Sequence, residues 1–513
     1  MIPSLAVARV VIVGGGTAGW MTAAALGRVM GQMPGLTIEL VESDAIGTVG
    51  VGEATIPNIR IFNDMLGIDE AEFLAATGGT IKLGIEFADW AHLGSRFMHP
   101  FGTNGIDMAG VEFHHHWLKA QALGAPYGIE DFSIGAKAAY AGKFIPPRPD
   151  QPNSPLARLG YAYHFDAGRY ARYLRQLAEG FGVRRHEGRI THASQDPETG
   201  NVTQLHLEDG RAITGDLFID CSGLRALLIG ETLGVPFIDW SDFLPCNSAV
   251  AVPCAHPAGQ DQGRSAPYTR STARLAGWQW RIPLQHRIGN GHVYSSAHMS
   301  DDAALDLLLA HLDTPPLADP KLIRFRAGYR ARLWEKNVVA MGLAGGFLEP
   351  LESTAIHLVQ ATIARLLAYW PDAGHHAPER HRFNRETITD YVEIRDLLVL
   401  HYATTQRTDT AFWRDCAALP RPDSLTEKLE LYTQSGRIHT EQGATFAHES
   451  WLAVMDGQGL KAGGFHPAAR LLDDAETLKR LGYIREVIAN AVAAMPTQGD
   501  FLRQAGALTP AFA

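Results

Sequence analysis

Four consecutive β-branched residues, Val10-Val11-Ile12-Val13, run directly into Gly14-Gly15-Gly16-Thr17-Ala18-Gly19, and this junction constrains the fold more than any other stretch. A continuous β-branched run suits a strand buried on both faces of a parallel sheet. An apolar helical stretch through Ala23, Ala24, Ala25 and Leu26 follows, and Ile38-Glu39-Leu40-Val41-Glu42 reads as a second strand. Strand, glycine turn, helix, strand is a βαβ unit, so an α/β fold is expected. With 52 glycines in 513 residues, the spacing Gly14-x-Gly16-x-x-Gly19 gains its weight from this context. The first glycine makes the turn, the second lets a pyrophosphate approach the backbone, and the third lets helix and strand pack closely. The helix N-terminus offers N–H donors to phosphates, and Glu42 can accept from ribose hydroxyls. A dinucleotide site is expected here.

Composition narrows the partners. Hydrophobic residues make up 46% and charged residues 19%, enough to build a large core. The net charge is −10 with no Lys/Arg block, which argues against nucleic acid. Cys221, Cys246, Cys254 and Cys416 show no C-x-x-C pair, so a reducing cytoplasmic setting is expected. The N-terminus lacks the basic start of a secretory signal, and no apolar run reaches the roughly 18 residues of a membrane span. Phe144 to Pro149 is Pro-rich and reads as a loop, and Gly215 to Gly223 as strand to turn. Residues 245–300 suggest antiparallel strands, and Val338 to Gly342 another buried strand. Beyond 376 the spacing is helical, as over Ala475 to Ala494.

Four further clusters invite chemical readings. In Thr80-Ile81-Lys82-Leu83-Gly84-Ile85-Glu86-Phe87 the alternation predicts a half-buried strand, with Lys82 and Glu86 on its solvated face. Ser353 or Thr354 precedes an apolar helical run and is expected to cap it. Trp278 and Trp280, two apart on a strand, share a face. His114-His115-His116 tempts a metal reading, but consecutive side chains diverge, so no metal is expected.

Three motifs together resemble the flavin-dependent halogenases of the tryptophan-halogenase type: Val51-Gly52-Glu53-Ala54-Thr55-Ile56-Pro57, Trp278-x-Trp280-x-Ile282-Pro283, and Phe347-Leu348-Glu349-Pro350-Leu351-Glu352-Ser353-Thr354. The resemblance runs from the first strand to about residue 370, with the W-x-W-x-I-P element the most specific part. It implies that the dinucleotide is FAD, cradled by Gly14, Gly16, Thr17, Ala18, Gly19, Glu42, Ala54, Gly342 and Phe347. It implies that FADH2 comes from a separate flavin reductase, and that Lys82 presents halogen from hypohalous acid to an electron-rich aromatic carbon. Glu352 corresponds to the family's active-site carboxylate, and Ser353 to a residue between that carboxylate and the lysine. Chloride or bromide would lie against Thr354 and Ala355, where alanine replaces the glycine usual in tryptophan halogenases. His99-Pro100-Phe101 corresponds to the family's substrate-pocket His-Pro-Phe, and Trp451-Leu452 to a tyrosine pair that holds the amino-acid end of free tryptophan. Trp278 and Trp280 would wall the flavin off from substrate. An indole-type small aromatic substrate is therefore expected, with no nucleic acid or membrane partner; the oligomeric state, a homodimer among the options, stays open.

The expected architecture is a Rossmann-like FAD-binding module of the flavin monooxygenase type, with an inserted β-sheet and a C-terminal helical substrate module. Residues 1–110, 155–235 and 330–375 would form the discontinuous FAD module, 236–329 the antiparallel sheet and 376–513 the helical module. Two alternatives compete. An aromatic hydroxylase would transfer flavin-bound oxygen directly, but such enzymes usually carry Gly-Asp where this chain has Gly342-Leu343-Ala344. A non-catalytic flavin-binding protein would have no use for Lys82, Glu352 and Ser353 together.

Overall fold

The computed structural model describes residues 7–46, 52–258, 266–371 and 377–508, so Val51 of the glycine-glutamate motif lies outside the described residues. The chain divides into two compact units. The first comprises Met1–Gly78, Phe165–Ser241 and Phe325–Val392, and the second Gly79–His164, Asp242–Arg324 and Glu393–Ala513. Residues 79–110 were expected in the FAD module and fall instead in the second unit. The reason is pairing: Gly84–Ala88 joins the strand Thr269–Arg274, almost two hundred residues downstream.

The first unit is built on a six-stranded sheet. Its order is Trp334–Glu335, Val338–Ala340, Leu217–Asp220, Arg9–Val13, Thr37–Glu42 and Arg184–Glu187. All neighbours run parallel except the first pair. Val10 to Val13 are fully buried, as the β-branched run requires. Chain order reverses beside Arg9–Val13, whose neighbours are Thr37–Glu42 on one side and Leu217–Asp220 on the other. That is a topological switch point, where strand ends splay and leave a crevice. The helix Thr17–Met30 is buried from Gly19 through Gly27 and packs against the helices Ala167–Gly180 and Ala355–Ala368.

The second unit carries a seven-stranded sheet in the order Lys321–Arg324, Ser248–Cys254, Ile288–Tyr294, Gly277–Pro283, Thr269–Arg274, Gly84–Ala88 and Arg96–Pro100. The expected antiparallel strands between 245 and 300 supply four of these. The only parallel pairing within it is Thr269–Arg274 with Gly84–Ala88. Helices follow, among them Asp423–Ser435, His448–Gly457 and Asp474–Ala494. Residues 144–149 form no regular element, as their prolines imply. All four cysteines are buried, and none is in a disulfide among the described residues. Among the described residues, no helix is long and apolar enough to cross a membrane.

Candidate active site

In the first unit the three fingerprint glycines do three different jobs. Gly14 has φ +105°, and a Cβ there would stand 2.5 Å from the Cys221 carbonyl oxygen. A Cβ on Gly19 would fall 1.8 Å from the Gly14 carbonyl oxygen, so only glycine lets helix and strand close up. At Gly16 a Cβ would meet nothing within 4 Å: this is the open side of the turn. Gly16 is also the N-cap of Thr17–Met30, whose first turn has no side-chain cap and no acidic residue. The helix N–H groups therefore remain available to an anion. Gly342, at φ +60°, closes on Ala18 from the next strand end but one, its would-be Cβ 2.9 Å from that of Ala18. Ala54 is buried on the short strand Gly52–Ala54, and half-buried Phe347 packs 4.7 Å, centroid to centroid, from Phe325.

Two residues at this cradle had no legible signal. A Cβ on Gly15 would lie 1.4 Å from Glu42 Oε2, so the carboxylate lies directly over the turn. Arg185 Nε donates to Glu42 Oε1 at 2.6 Å and orients it from a strand 143 residues away. A dinucleotide fits this arrangement: an open glycine edge, an uncapped helix end and a held carboxylate at the neighbouring strand end.

Further along the first unit, the 3₁₀ turn Pro350–Glu352 ends at Ser353, a non-glycine residue in the left-handed region (φ +60°, ψ +36°). Thr354 then caps Ala355–Ala368 by position only. Its side chain makes no capping bond and the helix's first turn has no acidic residue. The expected Ser/Thr side-chain cap is thus not formed, because the left-handed turn at Ser353 brings the chain in with Thr354 already near helical geometry (φ −93°, ψ −9°). Glu349, Glu352, Ser353 and Thr354 are all buried. A strained left-handed serine amid buried polar groups marks a place where the fold holds an unfavourable conformation.

In the second unit Lys82 departs most from expectation. The stretch 80–87 is not one half-exposed strand. Thr80–Lys82 pairs antiparallel with Ala162–Asp166, and Gly84–Ala88 joins the large sheet. The switch falls at Leu83, whose N–H donates to Pro267 and whose carbonyl accepts from Phe101. Both faces are covered, and Lys82 and Glu86 are each 0% exposed. Glu86 is held by Arg96 and Arg270. Lys82 Nζ stands 5.1 Å above the Phe101 ring, a cation–π arrangement. Nearby His164 is bonded on both ring nitrogens, by Thr80 and Thr269. Burial, and then the Lys82 charge, hold its pKa well below the ordinary histidine range. His99, on Arg96–Pro100, is buried with its ring 6.3 Å from Phe446.

Trp278 and Trp280 are both buried on Gly277–Pro283, their ring centroids 6.1 Å apart. Trp280 lies across Gly291 of the paired strand, where a Cβ would come 2.1 Å from its ring. Trp451 is buried in His448–Gly457, with Lys428 Nζ 5.1 Å over its ring. The expectation that the three adjacent histidines diverge holds only for His116, whose Nε2 donates to the Met108 carbonyl. His114 and His115 converge, with ring centroids 3.9 Å apart. Two neighbouring rings on a helix meet when their χ angles turn them toward one another, and both rings here are buried.

Comparison with known proteins gives this geometry a class. A flavin-dependent halogenase from Xanthomonas campestris is 47% identical, with 99% of this chain and 100% of that one covered and a TM-score of 0.94. BrvH, a flavin-dependent halogenase from Brevundimonas sp. BAL3, is 47% identical over 97% of this chain and 99% of its own, with a TM-score of 0.93. Tryptophan 6-halogenase SttH of Streptomyces toxytricini is 34% identical, covering 97% of this chain and 98% of its own length. The protein is a flavin-dependent halogenation enzyme. Residues 9–474 match the tryptophan halogenase family as a whole, and the chain belongs to that family.

Proposed function

We propose that this enzyme places chlorine or bromine on an electron-rich aromatic carbon of an indole-type substrate, with Lys82 as the residue that delivers the halogen. The observation that carries the reading is the complete burial of Lys82 against Phe101. Withdrawing an ammonium group from water is costly, and burial of this kind is characteristic of lysines used in chemistry. When bound, reduced FAD with oxygen and halide supplies hypohalous acid. Gly14, Gly16, Thr17, Ala18, Gly19, Ala54, Gly342 and Phe347 would hold the cofactor, and Glu42 its ribose. Thr354 and Ala355 would hold the halide at the uncapped helix end, as a concentration of unshared N–H groups allows.

Lys82 then has two chemically sufficient routes. It can donate a hydrogen bond to the oxidant or, when neutral, exchange one N–H hydrogen for the halogen of hypohalous acid, releasing water and leaving a haloamine. Glu352 accepts the proton released when the ring regains aromaticity, and Ser353 positions that carboxylate. Phe101 and His99 border the aromatic substrate, while the buried, mutually tilted rings of Trp278 and Trp280 form an apolar barrier that discourages direct oxygen transfer. A single dinucleotide fingerprint leaves no second cradle for NAD(P)H in the sequence, which supports a separate flavin reductase as electron source.

The test is Lys82→Ala, assayed with FAD, a flavin reductase, NADH and bromide or chloride on an aromatic panel. The variant is expected to bind FAD and consume oxygen normally while yielding no halogenated product. NADH without reductase should support no turnover by either protein. Full halogenation by the variant would overturn the role of Lys82, and reductase-independent turnover would overturn the two-protein scheme.

A further inference from the structure

The first turn of the helix Phe113–Ala122 gathers three metal-ligating side chains that the halogenation chemistry does not use. Glu112 is the N-cap, with extended backbone (φ −56°, ψ +141°), so its carboxylate folds back over the turn instead of continuing the helical spiral. Its Oε2 lies 3.8 Å from His114 Nδ1 and 3.9 Å from His115 Nε2, and the ligating atoms of all three residues lie within 4.8 Å of one another. Donors around a tetrahedral zinc at about 2.0–2.2 Å stand roughly 3.5 Å apart. Binding therefore requires side-chain rotations that draw the donors together, the exposed Glu112 carboxylate moving most freely.

We propose that Glu112, His114 and His115 bind a divalent transition-metal cation, zinc by the character of their donors. Two imidazoles and a carboxylate are an N/O set suited to zinc, with one position left for water. The hydrogen bonding of His114 is already that of a metal ligand. Its Nε2 lies 3.0 Å from the Gly436 carbonyl and must donate to it, which leaves the lone pair on Nδ1. Ligating histidines commonly anchor their second nitrogen on a backbone carbonyl in this way. Nδ1 itself is buried, makes no hydrogen bond, and faces Glu112.

His115 requires an exchange. Its Nδ1 accepts from the His466 backbone N–H at 3.2 Å, so its proton sits on Nε2. Coordination through Nε2 moves that proton to Nδ1 and gives up the long His466 bond. The positive end of the helix and the charge of Arg437, which bears on His115, oppose a cation; the Glu112 carboxylate offsets them. Its side chain is 53% exposed and provides the entry path. The rings of His448 and His466 border the site at centroid distances of 5.5 and 5.7 Å, with Glu449 against His448.

The full-length protein, stripped with EDTA, is titrated with Co²⁺ and followed by its visible absorption, then with Zn²⁺ by calorimetry. One equivalent of either metal is expected to bind, with Zn²⁺ displacing Co²⁺. His114→Ala and Glu112→Gln should each weaken binding by about tenfold or more, whereas His116→Ala, which removes a ring turned elsewhere, should not. Glu112→Gln alters an exposed side chain and keeps the test valid if His114→Ala fails to fold. No saturable Co²⁺ spectrum, or equal affinity in the wild type and Glu112→Gln, would overturn the site.

Discussion

At the scale of single residues, the proposed cofactor cradle depends on a glycine outside the fingerprint. Gly15 has no place in the Gly14-x-Gly16-x-x-Gly19 spacing, yet any side chain there would collide with the Glu42 carboxylate that Arg185 holds. Gly15→Ala should push Glu42 off its partner and weaken FAD binding by about tenfold, as loss of an orienting contact does. Flavin fluorescence quenching measures this, and an unchanged Kd would separate Glu42 from ribose binding. A second residue-scale consequence concerns His292. Its Nδ1 faces the Ala304 carbonyl at 3.3 Å, its Nε2 is buried without a partner, and burial lowers its pKa to about 4. The unfolded chain regains the ordinary value near 6.5, so between the two the unfolded state binds the extra proton. Stability from this group is complete above about 6.5 and lost as pH falls toward 4. His292→Gln should flatten that acid limb in denaturation midpoints recorded against pH; an identical slope in the variant would contradict it.

At the scale of elements, the decisive contacts are cross-strand ones. Trp280 needs the missing side chain of Gly291, directly opposite it on Ile288–Tyr294. Gly291→Ala should displace the indole and cost roughly 1–3 kcal/mol, the usual penalty for overpacking a filled core. Gly464→Ala, where a Cβ would meet nothing within 4 Å, is the matched control and should change stability by no more than about 0.5 kcal/mol. Denaturant midpoints and tryptophan emission distinguish the two. Helix ends tell a parallel story. Asp69, Asp166 and Asp473 cap their helices with side-chain oxygens, whereas Gly16 and Thr354 do not. The helices that begin after Pro57, Glu112, Pro422 and Ala447 also lack a side-chain cap, so an uncapped end permits a ligand without marking one; those at Gly16 and Thr354 are the ends proposed here for phosphate and halide.

At the scale of the whole molecule, the proposed preference for indole-type substrates rests on Trp451 and Leu452 standing where tryptophan halogenases carry a tyrosine pair. Trp451 and Leu452 are both buried and carry no hydroxyl, and an indole N–H can only donate. Apolar contacts discriminate weakly between substrates, whereas partners for a polar amino-acid end discriminate sharply. Indole or a larger tethered aromatic should therefore be a better substrate than free tryptophan. A tenfold preference for tryptophan in kcat/KM, about 1.4 kcal/mol of transition-state binding, would reverse this reading.

What could be read from the chain alone were features set by local covalent chemistry. The β-branched run before Gly14, the positive φ that Gly14 requires, and the helix after Thr354 each arise within a few residues, so spacing reveals them. The pairing of Lys82 could not be read that way. Alternation of Ile81, Leu83, Ile85 and Phe87 marks one buried face, but the other face is covered only because the chain changes sheets at Leu83 and meets partners far away in sequence. Arg185 on Glu42, Gly291 under Trp280, and the convergence of His114 with His115 and Glu112 belong to the same class. Local sequence determined which elements form and where their glycines must fall; burial and charge at each functional side chain were decided by tertiary structure, because desolvation depends on what packs from every side.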